Sequence, residues 1–406
     1  MHTAPPGTPS ATVSPRSLFW LLVAFAVTHA ATNLVRPMVS YRALQLGVPP
    51  EGLGLLAASF SLAPLVVALS IGRLVDRRGE MLFVLGGTAV MAASTFLIAI
   101  AANVALLTLG YALVGLGHLV MVVGTQSLVA RGSATAGYDR AFGHLSFSAS
   151  VGQLSGPAIA GLIAGQGSPD ETVRAIVVAG FLSLAGLPLI LAIRAPRAVR
   201  LAGAGETGAR LPLSSILRQP GIVRAILVST TVLSAIDIVV VYMPALGEER
   251  GWAASLVGGL LAARAGASMV SRLFIGRLSD RFGRRLLLIG SMSVSAVALV
   301  ALPFAPSAEA TFVVMIAAGL GLGIGQPLTM SWVAAEASPG TRATALSVRL
   351  MGNRVGQIAL PVFAGSVAAF AGAGGVLAGT GVIVGISLAL VSGGLASRPR
   401  RTAEPE

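Results

Sequence analysis

The sequence has no cysteine, no lysine and little charge of any kind: 11% of its 406 residues are charged. The missing cysteine removes disulfides, thiol catalysis and Cys-based metal sites. An ordinary soluble domain carries roughly 25% charged residues. A chain that is 55% hydrophobic, with a mean hydropathy of +0.85, cannot hide so much apolar surface in a water-soluble core. Metal-like histidine spacing, a phosphate-cradling loop and a nucleophile–base pair are also missing. No enzyme site, metal or cofactor is therefore expected.

What the chain does have is long apolar runs. Stretches of about 20 apolar residues match the hydrocarbon thickness of a bilayer, and long non-alternating runs in lipid are helices that satisfy their own backbone. Twelve spans are expected. They lie at approximately 17–40, 52–73, 80–101, 104–129, 141–165 and 173–194, and then 222–244, 254–277, 285–304, 309–333, 343–366 and 373–395. The predicted organisation is a disordered tail at 1–16, a six-helix bundle at 17–194, a polar linker at 195–221, a second six-helix bundle at 222–396 and a tail at 397–406. The apolar run after Arg16 matches the internal span from Arg224 to Met243, so it is read as a retained first span and not as a signal peptide.

The second half repeats the first at an offset of 204 residues. Gly72-Arg73-Leu74-Val75-Asp76-Arg77-Arg78-Gly79 returns as Gly276-Arg277-Leu278-Ser279-Asp280-Arg281-Phe282-Gly283. Val151-Gly152-Gln153 returns as Val355-Gly356-Gln357, and Pro157 and Gly161 return as Pro361 and Gly365. Gly115 and Gly117 recur as Gly319 and Gly321, and Gly47 and Gly54 as Gly251 and Gly258.

The net charge of +13 comes entirely from arginine, but the arginines lie in short links between spans and do not form the soluble basic face that a nucleic acid would require. They report topology. Arg16, the link at 72–80, Arg131, Arg140, the linker, the link at 276–285, Arg342 and the tail arginines share one side. Asp170, Glu171, Glu248, Glu249 and Glu309 mark the other. The positive-inside rule makes the arginine side cytoplasmic. The expectation is a multi-pass protein of the cell (inner) membrane with both termini inside.

Two G-R-L-x-D-R-x-G links, each between the second and third spans of a six-span half, resemble the major facilitator superfamily. The resemblance implies two pseudo-symmetric bundles that rock about a midplane site. It also implies a latch: Asp76 and Asp280, with Gly72, Arg77, Gly79, Gly276, Arg281 and Gly283, meet a helix N-terminus of the opposite half when the inside is closed. Gly143, Gly152, Gly156-Pro157 and Ala160-Gly161 are similar in spacing to the fifth-span motif of the superfamily's antiporters, with Ala160 in place of one Gly. The chain departs from the family at Glu80, where a basic residue is usual. It departs again at Tyr111, which stands where drug antiporters carry an arginine implicated in proton coupling.

Of the 15 acidic residues, Asp237 alone falls well inside a predicted span, 13 residues and about 20 Å beyond Arg224. An intramembrane carboxylate costs about 2.5–3.5 kcal/mol on insertion scales, which makes it a functional candidate. Two roles are open: proton or substrate coupling, or a static ion pair with Arg264. The superfamily resemblance places Asn33, His118, Asp237 and Gln326 around the central cavity. Asp237 and His118 are the proton-coupling candidates, with His29 a further intramembrane histidine. Asn33, Arg36, Tyr111, Tyr242, Arg264, Gln326 and Arg354 are the cavity candidates. Arg36, nearer the outer end, has the alternative of snorkelling toward water, Arg349 is expected to bond to carbonyls or helix ends, and both tyrosines are alternatively interface anchors. The expected function is proton-coupled export of a small organic molecule by a monomer. The alternative is proton-linked import of an organic anion, suggested by the excess of arginine.

Overall fold

The computed structural model describes residues 14–132, 138–193, 215, 217–219, 221–336 and 342–395. The tails, most of the linker at 195–221 and residues 133–137 lie outside the described residues, as do the side-chain surroundings of Gly72, Asp76, Arg77, Arg131, Arg140 and Arg342. The first half contains α1 (Pro15–Gln45), α2 (Gly52–Arg78), α3 (Glu80–Ala99), α4 (Val104–Gly132), α5 (Tyr138–Ala164) and α6 (Pro169–Leu191). The second half contains α7 (Ile222–Glu249), α8 (Ala254–Leu273), α9 (Ile275–Ala301) and α10 (Ala308–Glu336). The final helical stretch, Arg342–Leu395, leaves helical geometry at Gly372 (φ 61, ψ −170), which divides it into α11 (342–371) and α12 (373–395). Twelve long helical segments result among the described residues. Ten helices there are long and apolar enough to cross a membrane. The stretch holding α11 and α12 counts once among them, and the apolar part of α2, Gly52–Val67, is a shorter helix.

The two basic links are more helical than the sequence suggests. Each contains one strong breaker, and the helix runs up to it: Gly79 (φ 92, ψ 142) separates α2 from α3, and Gly283 (φ 75, ψ 150) bends the start of α9. The left-handed φ is open to glycine without a Cβ penalty. The expected end of the eighth span at 277 moves back to Leu273, where α8 gives way to α9. Elsewhere local rules hold. Ser168 caps α6 by accepting from the Glu171 amide (3.3 Å) while the Glu171 carboxylate accepts from the Ser168 amide (3.0 Å), with Pro169 following.

The repeat is visible in the backbone. Gly47 and Gly251, 204 residues apart, both have positive φ, as do Gly79 and Gly283. Arg42 donates to the carbonyl of Ala101 at 2.9 Å, and Arg250, one helical turn past the position equivalent to Arg42, donates to the repeat-equivalent carbonyl of Ala305 at 3.1 Å. Gly115 lies against the Phe60 carbonyl, and Gly319 against the carbonyl of Arg264, which occupies the position equivalent to Phe60.

Small residues let helices of opposite halves touch, as they do in lipid, where tail packing competes with side-chain packing. A Cβ at Gly54 of α2 would collide with the carbonyl of Pro361, and one at Gly258 of α8 would reach the Pro157 carbonyl at 2.7 Å. The pairs α2–α11 and α5–α8 are thus the same contact made twice. The Ser255 amide adds a backbone bond to the Gly165 carbonyl at 2.9 Å. These contacts lie toward the end holding Glu51, Asp170 and Glu248, here termed the acidic face. Toward the opposite, basic face, a cavity of about 420 Å³ opens between α5 and helices α8, α10 and α11.

Candidate functional site between the two bundles

Helix α1 of the first half packs against α7 of the second. Asp237 lies about 22 Å along α7 from Ile222 at 1.5 Å per residue. Its Oδ1 accepts from Arg36 Nη2 of α1 at 2.7 Å, and its Oδ2 accepts from Gln357 Nε2 of α11 at 2.6 Å. Gln357 Oε1 in turn accepts from Arg354 Nη1 at 3.2 Å. The chain Arg36–Asp237–Gln357–Arg354 therefore joins the two halves through a carboxylate whose residue is 6% exposed.

This arrangement corrects two expectations. The ion-pair partner of Asp237 is Arg36 and not Arg264, because the α1–α7 crossing brings Arg36 from the other half directly onto the carboxylate. Arg264 is buried, with its carbonyl packed on Gly319 and its Nε without a partner. Nor does Arg36 snorkel outward. Its side chain is 13% exposed, and its guanidinium lies 5.2 Å from the Phe60 ring centre, where the ring face attracts a cation.

An aromatic cluster fills the first half behind Arg36. Phe60 lies 5.2 Å from Tyr111 and 5.9 Å from His118, and His118 lies 5.0 Å from His29. The His118 Nδ1 is buried without a hydrogen-bond partner, and the buried Tyr111 hydroxyl lies beside the Arg36 guanidinium. Tyr111 and Tyr242 are both fully buried, so neither is an interface anchor. Asn33, the repeat mate of Asp237, donates to the carbonyl of His29 at 2.8 Å within its own helix.

Gln326 is the cavity candidate that lines the open space toward the basic face. Its Nε2 donates to the Ser229 carbonyl at 3.0 Å, and its Oε1 accepts from Arg349 Nη2 at 2.7 Å. Arg349 also donates to the Gln326 carbonyl at 3.1 Å, in keeping with its expected role. The fifth-helix motif divides by function. Gly152 and Gly156 seat α5 against His29, Ala30 and Asn33 of α1, Pro157 and Gly161 meet Gly258 of α8, and Gly143 lines the cavity. Of the latch residues that are described, Asp280 and Arg281 are exposed, and Arg281 lies over the Phe282 ring at 5.6 Å.

Sequence reasoning overlooked Gln357, Arg272 and Phe60. The first had a visible signal in the Gln153/Gln357 repeat. Both glutamines bind charged groups between helices: Gln357 donates to Asp237 within the second half at 2.6 Å, and Gln153 of the first half accepts from Arg272 of the second at 3.4 Å.

The Major Facilitator Superfamily model matches residues 21–266 and 225–406. The chain belongs to this superfamily. The superfamily chain is 27% identical over 149 residues to the quinolone resistance protein NorA of Staphylococcus aureus (strain MRSA252), covering 37% of this chain and 38% of NorA. It is 26% identical over 176 residues to multidrug resistance protein 1 of Bacillus subtilis (strain 168), covering 43% and 44%. It thus spans less than half the length of these curated relatives. Its fold is similar to that of a bacterial homologue of the human lysosomal transporter Spinster, solved in an inward-facing, unoccupied conformation (TM-score 0.80, 17% identity, 98% of this chain and 100% of that one). It is also similar to a point mutant of the nucleoside transporter NupG (TM-score 0.75, 16% identity, 94% and 99%).

Proposed function

We propose that this superfamily member is a secondary active transporter of the cell membrane that exports a small organic molecule in exchange for protons. The observation that carries this reading is the Arg36–Asp237 pair, which ties α1 of one half to α7 of the other through the carboxylate inside a span. Protonating Asp237 removes the charge that holds Arg36, so proton loading and separation of the halves become one event. A carboxyl at this depth gains a proton when water reaches it from one side and loses it when water reaches it from the other, which is the requirement of alternating access. The basic face is cytoplasmic on this reading, both termini lie inside, and the contacts at Gly54 and Gly258 close the outer side. With the inner side open, the exposure of Asp280 is that of a released latch. The partial likeness to two drug-resistance proteins supports export.

A second reading, proton-linked import of an organic anion, is favoured by the excess of arginine over carboxylate between the halves. Vesicles reconstituted with purified protein separate the two. An imposed inside-acidic gradient drives the substrate outward in symport and inward in antiport. A substrate flux insensitive to any proton gradient contradicts both.

A further inference from the structure

The cavity toward the basic face carries two guanidinium groups, Arg272 and Arg349, and no carboxylate among the described residues of its walls. The bonds that Arg272 makes go to neutral groups: Nε donates to the Gly323 carbonyl at 3.2 Å, and Nη1 to Ser150 Oγ at 3.0 Å and Gln153 Oε1 at 3.4 Å. Arg349 is 4% exposed. Its Nη2 is taken up by the carbonyl and side chain of Gln326 and by Thr329, and its Nε is buried without a partner. The imbalance extends upward. Arg36, Arg264 and Arg354 add three more cations, and among the described residues Asp237 is the carboxylate that lies among them. A guanidinium held away from water without a counter-charge is costly, and in a membrane protein it marks a path for charge. Beside the arginines the walls hold the neutral polar groups of Ser146, Ser150 and Gln326 and an apolar side: Phe147 from α5, Met269 and Leu273 from α8, and Met330 from α10.

We propose that this cavity is a subsite for an organic anion with an apolar body. The acid group of the ligand, a carboxylate or a sulfonate, takes the donors of Arg349 and Arg272, whose planar forks match it. An aromatic or branched aliphatic body lies against Phe147, Met269, Leu273 and Met330. A space of about 420 Å³ is within the range that holds small organic ligands. A lipophilic cation meets two like charges there and is refused. The assignment rests on the transport reading above and names its substrate class. It holds for either direction of transport.

The test uses the full-length protein in lipid nanodiscs and three probes of one shape: 1-naphthoate, neutral 1-naphthamide and cationic 1-naphthylmethylammonium. Titration calorimetry is expected to show naphthoate binding about tenfold or more tighter than the amide, with the ammonium weakest. Arg349→Gln and Arg272→Gln are each expected to bring naphthoate to within about threefold of the amide. Arg349→Lys keeps the charge and loses the Nε donor. It should fall between the two and serves where the Gln variant does not stay monodisperse. Equal binding of amide and anion by the unmodified protein, no binding of any probe at millimolar concentration, or an anion preference that survives in both Gln variants overturns the proposal. Because binding is read without transport, a protein that prefers naphthoate but moves no protons refutes coupled transport and leaves the subsite standing. One that couples protons to another substrate without this preference refutes the subsite alone.

Discussion

Arg36 and Asp237 lie on opposite halves of the molecule, 201 positions apart in sequence, and meet at 2.7 Å. Removing one member of a buried pair strands the other charge and costs about 3–5 kcal/mol. Arg36→Ala should therefore lower the melting temperature of the detergent-purified protein more than Asp237→Asn, which leaves an amide able to bond with Gln357. The exchange Arg36→Asp with Asp237→Arg should recover most of the lost stability. A double variant no more stable than either single change means that the pair contributes nothing across the halves.

The closure of the acidic face rests on glycine. Gly54→Val places a branched side chain against the Pro361 carbonyl and should hold α2 and α11 apart. Tyr242 is completely buried beneath this closure, and because the chain has no native cysteine, Tyr242→Cys is a clean reporter. A membrane-impermeant thiol reagent added from the acidic side should label it in the Gly54→Val background and leave it largely unlabelled in the parent. Equal labelling in both would place the closure elsewhere.

Gly156 has a packing role that can be separated from its place in an antiporter-like motif. A Cβ there reaches the Ala30 carbonyl at 2.6 Å and the Asn33 Cβ at 2.8 Å. Gly156→Leu overpacks the α1–α5 crossing, a change that typically costs about 1–3 kcal/mol, and a drop in melting temperature should appear with substrate absent. An unchanged melting temperature accompanied by lost transport would assign Gly156 to the mechanism instead.

His118 sits against His29 and Phe60, without hydrogen bonds at its buried Nδ1. If it passes protons toward Asp237, His118→Phe should slow proton-coupled flux while uncoupled counterflow of substrate continues at close to the parent rate. Equal loss of both would mark His118 as a packing residue.

Topology is open to a direct check. A green fluorescent protein fused after Glu406 should fluoresce in intact cells, and an alkaline phosphatase fusion at the same point should be inactive. The reverse pattern would place the basic face outside.

The architecture was legible because it was written twice. The 204-residue offset between Gly72–Gly79 and Gly276–Gly283 returns as matching backbone angles at Gly79 and Gly283, and Pro157/Gly161 and Pro361/Gly365 return as two equivalent crossings. Asp237 was legible for a different reason, since charge inside a hydrophobic span is rare. Its partner was not. Depth along a helix can be counted from sequence, and it made Arg264 look suitable, but rotation about the helix axis and the choice of neighbouring helix come from packing. The α1–α7 crossing decided for Arg36. The same limit hid Arg272. It stands five residues before the predicted end of its span at 277, beside the basic link, yet its guanidinium turns inward to Gln153, Ser150 and the Gly323 carbonyl.

Proton movement driven by substrate tests the central claim most directly. With purified protein in vesicles loaded with a pH-sensitive dye, adding substrate should move protons in the parent protein, whereas Asp237→Asn should still bind substrate and move none. A proton flux in Asp237→Asn equal to that of the parent would show that the Arg36–Asp237 pair is structural and that coupling lies elsewhere.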